Sequence, residues 1–195
     1  MKATYFSRMA MLTGVAMLLP GSAWAGKEET APYKTVEKEG KYEIREYPAL
    51  KVVSTSSEAG DKKSADRRFM KLFRYISGSN EGGEKIAMTT PVFMRQSGKG
   101  NTMSFVLPAA VAKRGAPEPA AEEVELEQLS GGKFAVFRFS GLRSNSLEQK
   151  SLQKLREWMG QRGLKADGVP SFAYYNPPWV PGFMRRNEVL VPIQP

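Results

Sequence analysis

Alternating apolar and polar side chains predict strands around an amphipathic helix in the first half of the chain. Residues 42–47 alternate as a half-buried strand does, and residues 50–55, rich in β-branched side chains, predict a second strand beyond Pro48. A helix is predicted over residues 62–76, with Asp61 as its N-cap, because its apolar residues fall on one face. These residues are Phe69, Leu72, Phe73 and Ile76.

Two more strands complete this first unit. Residues 86–94 are typical of a strand interrupted at Pro91, since proline cannot donate a hydrogen bond to a sheet ladder. A turn rich in Gly and Ser at residues 97–101 leads into a strand predicted at 103–107. The segment 108–123 is rich in Ala, Pro and Glu, and we expect it to be a linker.

The second half of the chain repeats this order. Strands are predicted at residues 124–127, 134–139, 172–175 and 188–192. A helix is predicted from Asn145 to about Arg162, because Asn145 and Glu148 resemble a capping box and apolar residues follow at helical spacing. A loop rich in proline and aromatic residues, at 176–184, precedes the last strand.

The two halves correspond at nearly constant offsets. Phe69 recurs 83 residues later as Leu152, and Pro91 is matched with Pro177 at an offset of 86. This pattern predicts one α+β domain whose strands are mainly antiparallel. The domain is placed at residues 41–195, with repeats at about 41–108 and 124–192. A cleft between related halves is a natural ligand site.

The first 25 residues are typical of a secretory signal. A basic start at Lys2 and Arg8 precedes an apolar stretch, too short to span a bilayer, and a small-residue cleavage site at residues 23–25. Residues 26–40 are polar and are expected to form a flexible leader. No later stretch of 18 apolar residues occurs. We therefore expect a periplasmic or secreted mature chain without an integral membrane segment.

Composition excludes several kinds of chemistry. The chain has no Cys and no His, which excludes thiolate nucleophiles, Fe–S clusters and Ser-His-Asp catalysis and removes the commonest metal ligand. The acidic pair Glu122 and Glu123 lies in the linker, so we expect a binding protein and not an enzyme. The net charge of +9 is scattered, and no nucleic-acid motif occurs. The oligomeric state is left open.

Three groups of residues resemble the motifs of the SOUL haem-binding protein family. Residues 85–92 read KIAMTTPV, residues 175–179 read YNPPW with RRNEV following at 185–189, and residues 42–47 read YEIREY. The resemblance spans about 33–192. It implies two βαββ repeats that form a distorted antiparallel β-barrel flanked by two helices, an architecture shared with ligand-sensing domains of the gyrase-inhibitor type. It also implies that the chain binds haem or another tetrapyrrole.

The resemblance places the ligand between the first helix and the loop that contains the Pro-Pro motif. The implied ligand-binding residues are Phe69, Leu72, Phe73, Arg74, Ile76, Met88, Trp179, Val180 and Phe183. Arg74 would serve as a cation for a propionate. An apolar stripe at helical spacing is also what core packing produces, whereas Trp179 and Phe183 in a Pro-rich loop are less easily explained by a core.

The sequence departs from the family pattern in ways that affect the ligand. Because His is absent, any iron ligand must be Met, Tyr or Lys. The candidates are Met70, Met88, Met184, Tyr75, Tyr174 and Tyr175. Asp66 and Val180 replace basic residues of the family. We expect either haem or porphyrin capture in a hydrophobic groove without His ligation, or binding of another amphipathic small molecule. Hydrolysis, and docking of a partner protein on the Trp179 loop, are the remaining alternatives.

Other motif residues are interpreted as structural. Arg186 and Glu188 lie two positions apart on a strand, so they share a face and are expected to form an ion pair. The hydroxyl groups of Thr89 and Thr90 are expected to form local hydrogen bonds rather than to contact a ligand.

Overall fold

The computed structural model describes residues 28–58, 64–97 and 100–194. The predicted signal sequence and the predicted N-cap Asp61 lie outside these ranges. No helix within them combines the length and the apolar character needed to cross a bilayer.

The described ranges contain eleven strands and three α-helices. The strands are β1 Glu29–Thr30, β2 Lys34–Glu39, β3 Tyr42–Tyr47, β4 Leu50–Ser57, β5 Thr89–Thr90, β6 Val92–Ser97, β7 Gly100–Val106, β8 Glu125–Leu129, β9 Gly132–Phe139, β10 Ser171–Tyr174 and β11 Asn187–Pro192. The helices are α1 Ser64–Ile76, α2 Ala109–Arg114 and α3 Asn145–Gln161. Short 3-10 turns lie at Glu81–Gly83 and Gly182–Met184.

Nine of the strands form one antiparallel sheet that curls into a half-barrel. Their order across the sheet is β2-β3-β9-β11-β10-β6-β7-β4-β8, and β1 and β5 form a separate parallel pair. The predicted α+β class, with a distorted barrel flanked by helices, is confirmed.

The first strand of each repeat pairs with a strand of the other repeat. β3 pairs with β9 of the second half, and β8 pairs with β4 of the first. The remaining strands follow as β9-β11-β10 on one side and β4-β7-β6 on the other, so the halves are related by a pseudo-two-fold axis between β6 and β10. Met94 pairs with Phe172 across this axis, and both side chains are buried.

The matching of Pro91 with Pro177 is wrong. Pro91 precedes β6, whereas Pro177 follows β10. Since β6 and β10 are antiparallel and Val92 pairs with Tyr174, the beginning of one strand lies beside the end of the other. The two prolines therefore lie at the same end of the sheet without being equivalent residues of the repeat.

The structure also differs from the predicted elements where the apolar pattern of the sequence is weak. Part of the predicted leader forms β2, an edge strand paired with β3; all its residues are exposed, so it carries no alternating signal. The predicted linker contains α2, whose Val111 is buried. β8 leads directly into β9, but the two strands pair with different partners because each takes part in the strand exchange.

The sheet is buried on both faces. α1 and α3 cover one face, which we call the helix face, and its core contains Leu72, Phe105, Phe137 and Leu155. A second core lies on the opposite, inner face and contains no residue of the α-helices. Its buried members are Ala31, Tyr47, Leu50, Val52, Phe93, Val106, Val136, Ala173 and Leu190.

The two turns at the strand exchange lie against each other. Gly131, between β8 and β9, approaches the backbone of the turn between β3 and β4. A Cβ atom on Gly131 would lie 2.6 Å from the carbonyl oxygen of Tyr47 and 2.8 Å from the amide nitrogen of Ala49. Glycine is therefore needed at this contact, because its neighbours are backbone atoms that cannot rotate away.

We expect Gly131→Ala to lower the free energy of unfolding by about 1–3 kcal/mol, the usual cost of overpacking. Gly160→Ala is the matched control. No atom lies within 4 Å of the added Cβ there, and the residue is in α3, so stability should rise by about 0.5–1 kcal/mol. Urea unfolding of both variants measures the difference. Equal stabilities for the two would contradict the close contact at Gly131.

Candidate functional site

The outer side of α1 exposes aromatic rings. Phe69 and Phe73 are 37% and 41% exposed, and their rings stack with centroids 6.0 Å apart. Phe69 also meets Phe105 of β7 edge-on at 5.3 Å, which connects this surface to the core. Leu72 and Ile76, which the family resemblance implied as ligand-binding residues, are buried core residues. The predicted apolar stripe thus divides into a buried side and an exposed aromatic side.

The remaining first-half candidates differ in accessibility. Arg74 is an exposed cation in the last turn of α1. Met88 is half-buried and packs against the core of the helix face. Met70 is 46% exposed beside the two phenylalanines. The exposed surface of α1 therefore combines two rings, a thioether and a cation.

The loop between β10 and β11 also presents apolar side chains to solvent. Trp179 and Phe183 are 79% and 81% exposed, while Val180 is half-buried. Arg185 secures the loop by donating from Nε to the carbonyl oxygen of Val180 at 2.8 Å and by a second bond to the carbonyl of Pro178. The aromatic residues are thus exposed on a hydrogen-bonded loop.

A neighbouring segment fastens this loop to the fold. The amide of Gly141 donates to the carbonyl of Gly182 at 2.9 Å, and the Asn187 side chain donates to the carbonyl of Gly141 at 2.9 Å. Leu142 is exposed beside Gly182. Leu142, Trp179, Phe183 and Met184 are therefore exposed on connected segments.

A buried carboxylate connects this region to the helices. Glu148 of α3 accepts hydrogen bonds from Arg143 Nε at 3.0 Å, from Gln96 Nε2 at 3.1 Å and from the Tyr174 hydroxyl. Burial, and secondarily the charge of Arg143, lower the pKa of Arg68 in α1. Arg143 is therefore close enough to α1 for its charge to act on Arg68.

This role of Glu148 corrects the predicted capping box. Ser144 is the N-cap of α3, and its hydroxyl accepts a hydrogen bond from the amide of Leu147 at 3.2 Å. Glu148 lies one residue beyond the box position and is directed into the protein. The sequence contains the serine, but Asn145 is an equally good cap by residue type.

A second buried network lies on the inner face. The guanidinium of Arg45 donates to both oxygens of Glu188, at 2.7 and 2.9 Å, and both side chains are almost completely buried. Glu188 also accepts from Arg186 Nε and from the Tyr175 hydroxyl, each at 2.9 Å. The carboxylate thus accepts four hydrogen bonds, which is what a buried charge requires. The predicted pair of Arg186 and Glu188 is confirmed; Arg45 was missed because it lies 143 residues away in sequence.

Aromatic rings enclose these charges. Arg45 lies 4.1 Å from the ring centroid of Tyr33, and Arg186 lies 3.9 Å from that of Tyr175. Burial alone would raise the pKa of Glu188, but hydrogen bonds and charge from Arg45 and then Arg186 outweigh it, so the pKa lies below its usual value. Burial raises the pKa of Tyr47 to about 12 and also raises that of Tyr175. The network therefore holds ionised Glu188 with neutral tyrosines.

The tyrosines proposed as iron ligands are engaged in hydrogen bonds. The hydroxyls of Tyr75, Tyr174 and Tyr175 donate to Pro117, Glu148 and Glu188, respectively. Burial raises the pKa of each hydroxyl, to about 12 for Tyr75, which disfavours the phenolate that would bind iron. The described residues contain no group of three or more acidic, His or Cys side chains able to hold a metal ion.

The two threonines of the KIAMTTPV motif form hydrogen bonds within the protein, but with partners 17 and 60 residues away and not locally as predicted. The Thr89 hydroxyl donates to the carbonyl of Val106 at 2.5 Å. The Thr90 hydroxyl lies 3.1 Å from that of Thr30, beside the short pairing of β1 with β5. The Thr89 bond fastens β5 to β7, and the Thr90 bond fastens the N-terminal segment to β5.

Loss of the Glu188 charge is expected to destabilise the fold strongly. Glu188→Gln leaves Arg45 buried without its counter-charge, so the free energy of unfolding should fall by about 3–5 kcal/mol at neutral pH. Glu37→Gln removes an exposed partner of Arg162 and should change stability little.

The pH dependence provides a second measure of the same charge. The pKa of Glu188 in the folded state lies below the usual value of 4.5, so its stabilising contribution is present above about pH 4.5 and is lost as the pH falls through the folded pKa. Urea unfolding at several pH values should show that the free energy of unfolding decreases less on acidification for Glu188→Gln than for the wild type. Parallel losses would argue against Glu188 as the titrating group.

Comparison with known proteins agrees with this arrangement of motifs. The model of the family described as SOUL heme-binding protein matches residues 28–192. Human Heme-binding protein 2 is 34% identical, with 89% of this chain and 85% of that protein aligned. The mouse protein of the same name is 30% identical over 72% of this chain and 70% of its own.

A likeness to a solved structure supports the fold alone. The crystal structure of the EcmrR C-terminal domain is 13% identical, with a TM-score of 0.58, and the match covers 83% of this chain and 98% of that domain. The family match is of a different kind, because it spans nearly all the described residues and includes every motif. This chain belongs to the SOUL heme-binding protein family.

Proposed function

We propose that this chain is an exported protein that binds haem or a related tetrapyrrole on the aromatic surface of α1. The observation that carries the proposal is the stacked, exposed pair of Phe69 and Phe73 in a chain of this family. A flat ring system is well matched to stacked aromatic side chains. Arg74, exposed in the same helix, is placed to pair with a propionate.

Binding without an iron ligand from His is the second part of the proposal. The chain has no His, and its candidate tyrosines are held in hydrogen bonds to protein groups. Apolar burial then supplies the affinity, at about 25 cal/mol per Å² before the cost of association is subtracted. Met70 and Met88 remain the thioethers nearest this surface in sequence.

The aromatic loop is proposed as the second wall of the site. Trp179 and Phe183 are too exposed to contribute much to the core. The hydrogen bond between Gly141 and Gly182 supports a position on the helix face, because the segment after Gly141 leads into α3. A planar ligand covered on both sides would bury more of its surface than one on α1 alone.

We propose a binding protein and not an enzyme. The buried acids Glu148 and Glu188 are fully engaged by arginines and tyrosines. Such acids hold the fold and are not available to transfer protons. Export rests on the signal-like sequence of the first 25 residues and is tested by locating the mature chain in cell fractions.

Titration of the purified protein with hemin and with iron-free protoporphyrin tests the site. We expect saturable one-to-one binding with similar affinities for both, because iron ligation contributes little. Phe73→Ala should weaken the affinity for both ligands by about tenfold, equivalent to about 1.4 kcal/mol of binding free energy. Phe73 is preferred to Phe69 because Phe69 also packs on Phe105 of the core.

Two controls accompany this titration. Val36→Ala removes another exposed apolar side chain, on the edge strand β2, and should leave binding unchanged. Trp179→Ala tests the loop separately from α1. Absence of binding to both ligands would refute the proposed function. Hemin binding far tighter than protoporphyrin binding would refute capture without ligation and direct attention to Met70 and Met88.

A further inference from the structure

A cavity of about 670 Å³ opens on the inner face of the sheet. It lies below the two turns that exchange strands between the halves, since Pro48 and Gly131 are among its lining residues. Ligand cavities in proteins commonly have about 300–1,000 Å³. The cavity is therefore large enough for a small organic molecule.

The floor of the cavity is apolar and largely aromatic. Tyr47, Phe93 and Phe134 line it together with Leu50 and Leu190. The rings of Tyr47 and Phe134 meet edge-on at 5.4 Å. The Tyr47 hydroxyl accepts a bond from Arg45 at 3.1 Å, so the polar end of this residue is committed to the buried network. The floor therefore has a fixed shape and offers apolar contacts.

The cavity is the cleft between the duplicated halves. Equivalent strands of both repeats contribute to it: β3 with β8, β4 with β9, and β6 with β10. The duplication predicted a cleft of this kind. The helices lie on the opposite face of the sheet, so the cavity is separate from the surface of α1.

Strand alternation identifies the charge that faces the cavity. On β6, Phe93 and Arg95 point to the inner face, because they lie two positions apart. Glu46 and Lys133 alternate with the inner-face residues Tyr47 and Phe134, so their charged ends are directed away from the floor. Asp167 lies on a loop at the rim.

Arg95 is available to a ligand. No ion pair or side-chain hydrogen bond of Arg95 is found within the described ranges, and the residue is exposed. Its cross-strand partner Ser171 also lines the cavity and supplies a hydroxyl. A guanidinium beside a hydroxyl, above an aromatic floor, is suited to an anionic head group on an apolar body.

We propose that this cavity is a second ligand site, which binds an amphipathic anion with its apolar body on the aromatic floor and its carboxylate or sulfonate at Arg95. The proposal does not depend on tetrapyrrole binding at α1. It assigns Arg95 the role of selecting an anionic ligand over a neutral one.

Two fluorescent probes of nearly identical shape test both parts of the proposal. Anilinonaphthalene sulfonate carries an anionic group, and N-phenylnaphthylamine is its neutral counterpart. The wild type should bind the anionic probe about fivefold more tightly, the effect of an ion pair at a solvent-accessible rim. Arg95→Gln should remove this preference while leaving the affinity for the neutral probe unchanged.

A blocking variant locates the binding. Val169 is exposed at the rim of the cavity, and Val169→Trp should reduce the affinity for both probes at least tenfold by filling the entrance. Val36→Trp, on β2 outside the cavity, is the matched control and should leave both affinities unchanged. Phe73→Ala distinguishes this site from the surface of α1 and should also have no effect.

The outcomes are decisive in either direction. Equal affinity for the two probes, or tighter binding of the neutral one, would refute the role of Arg95. Binding that survives Val169→Trp but is lost in Phe73→Ala would place both probes on α1 and refute the cavity site. Urea unfolding of each variant checks that a lost signal does not arise from a lost fold.

Discussion

The arrangement of the sheet depends on the buried ion pair of Arg45 and Glu188. Arg45 lies on β3, the strand that the first half gives to the second, and Glu188 lies on β11 across the intervening β9. A slip of one residue in either strand would move a charge to the helix face, away from its partner. Removing two charges from water is costly, so such a pair is weak evidence of net stability. We infer that it serves instead to select this strand exchange over other pairings.

The two faces of the sheet are covered by different parts of the chain. On the helix face, α1 and α3 cover an apolar core, and α1 leaves Phe69 and Phe73 exposed on its outer side. On the inner face, the N-terminal segment closes one region, because Tyr33 contacts both Arg45 and Arg186 and Ala31 joins the inner core. Among the described residues, no α-helix contributes to the core of that face, and the cavity lies beneath the two turns where the strands are exchanged. Tyr47 belongs to both regions, since its hydroxyl bonds to Arg45 and it lines the cavity.

Local pattern predicted most of the elements but not their partners. The strand Tyr42–Tyr47 and the amphipathic α1 could be recognised because alternation and helical spacing record which side is buried. β2 could not be recognised in this way, because an exposed edge strand has no apolar face. The predicted capping box was wrong for a different reason. Glu148 is a residue type found in capping boxes and has nearly the required spacing from the N-cap, but its side chain bonds to Tyr174 and Gln96 instead of to the start of the helix. The division of the apolar residues of α1 into a buried and an exposed side could not be predicted either. It depends on which side of the helix the sheet covers, and that is a property of the tertiary structure.

The motifs that identify the family describe the frame more than the ligand surface. Arg45, Tyr175 and Glu188 fall within them and form the inner network. The Thr89 hydroxyl fastens β5 to β7, and the Thr90 hydroxyl fastens the N-terminal segment. The exposed rings of α1 lie outside these motifs, whereas Met88 and Trp179 lie within them. A chain without His retains the whole frame, because no part of the frame requires one. Membership in the family therefore accounts for the hydrogen-bonded frame of this fold, whereas the position of a ligand on that frame is a separate question that the proposed titrations address.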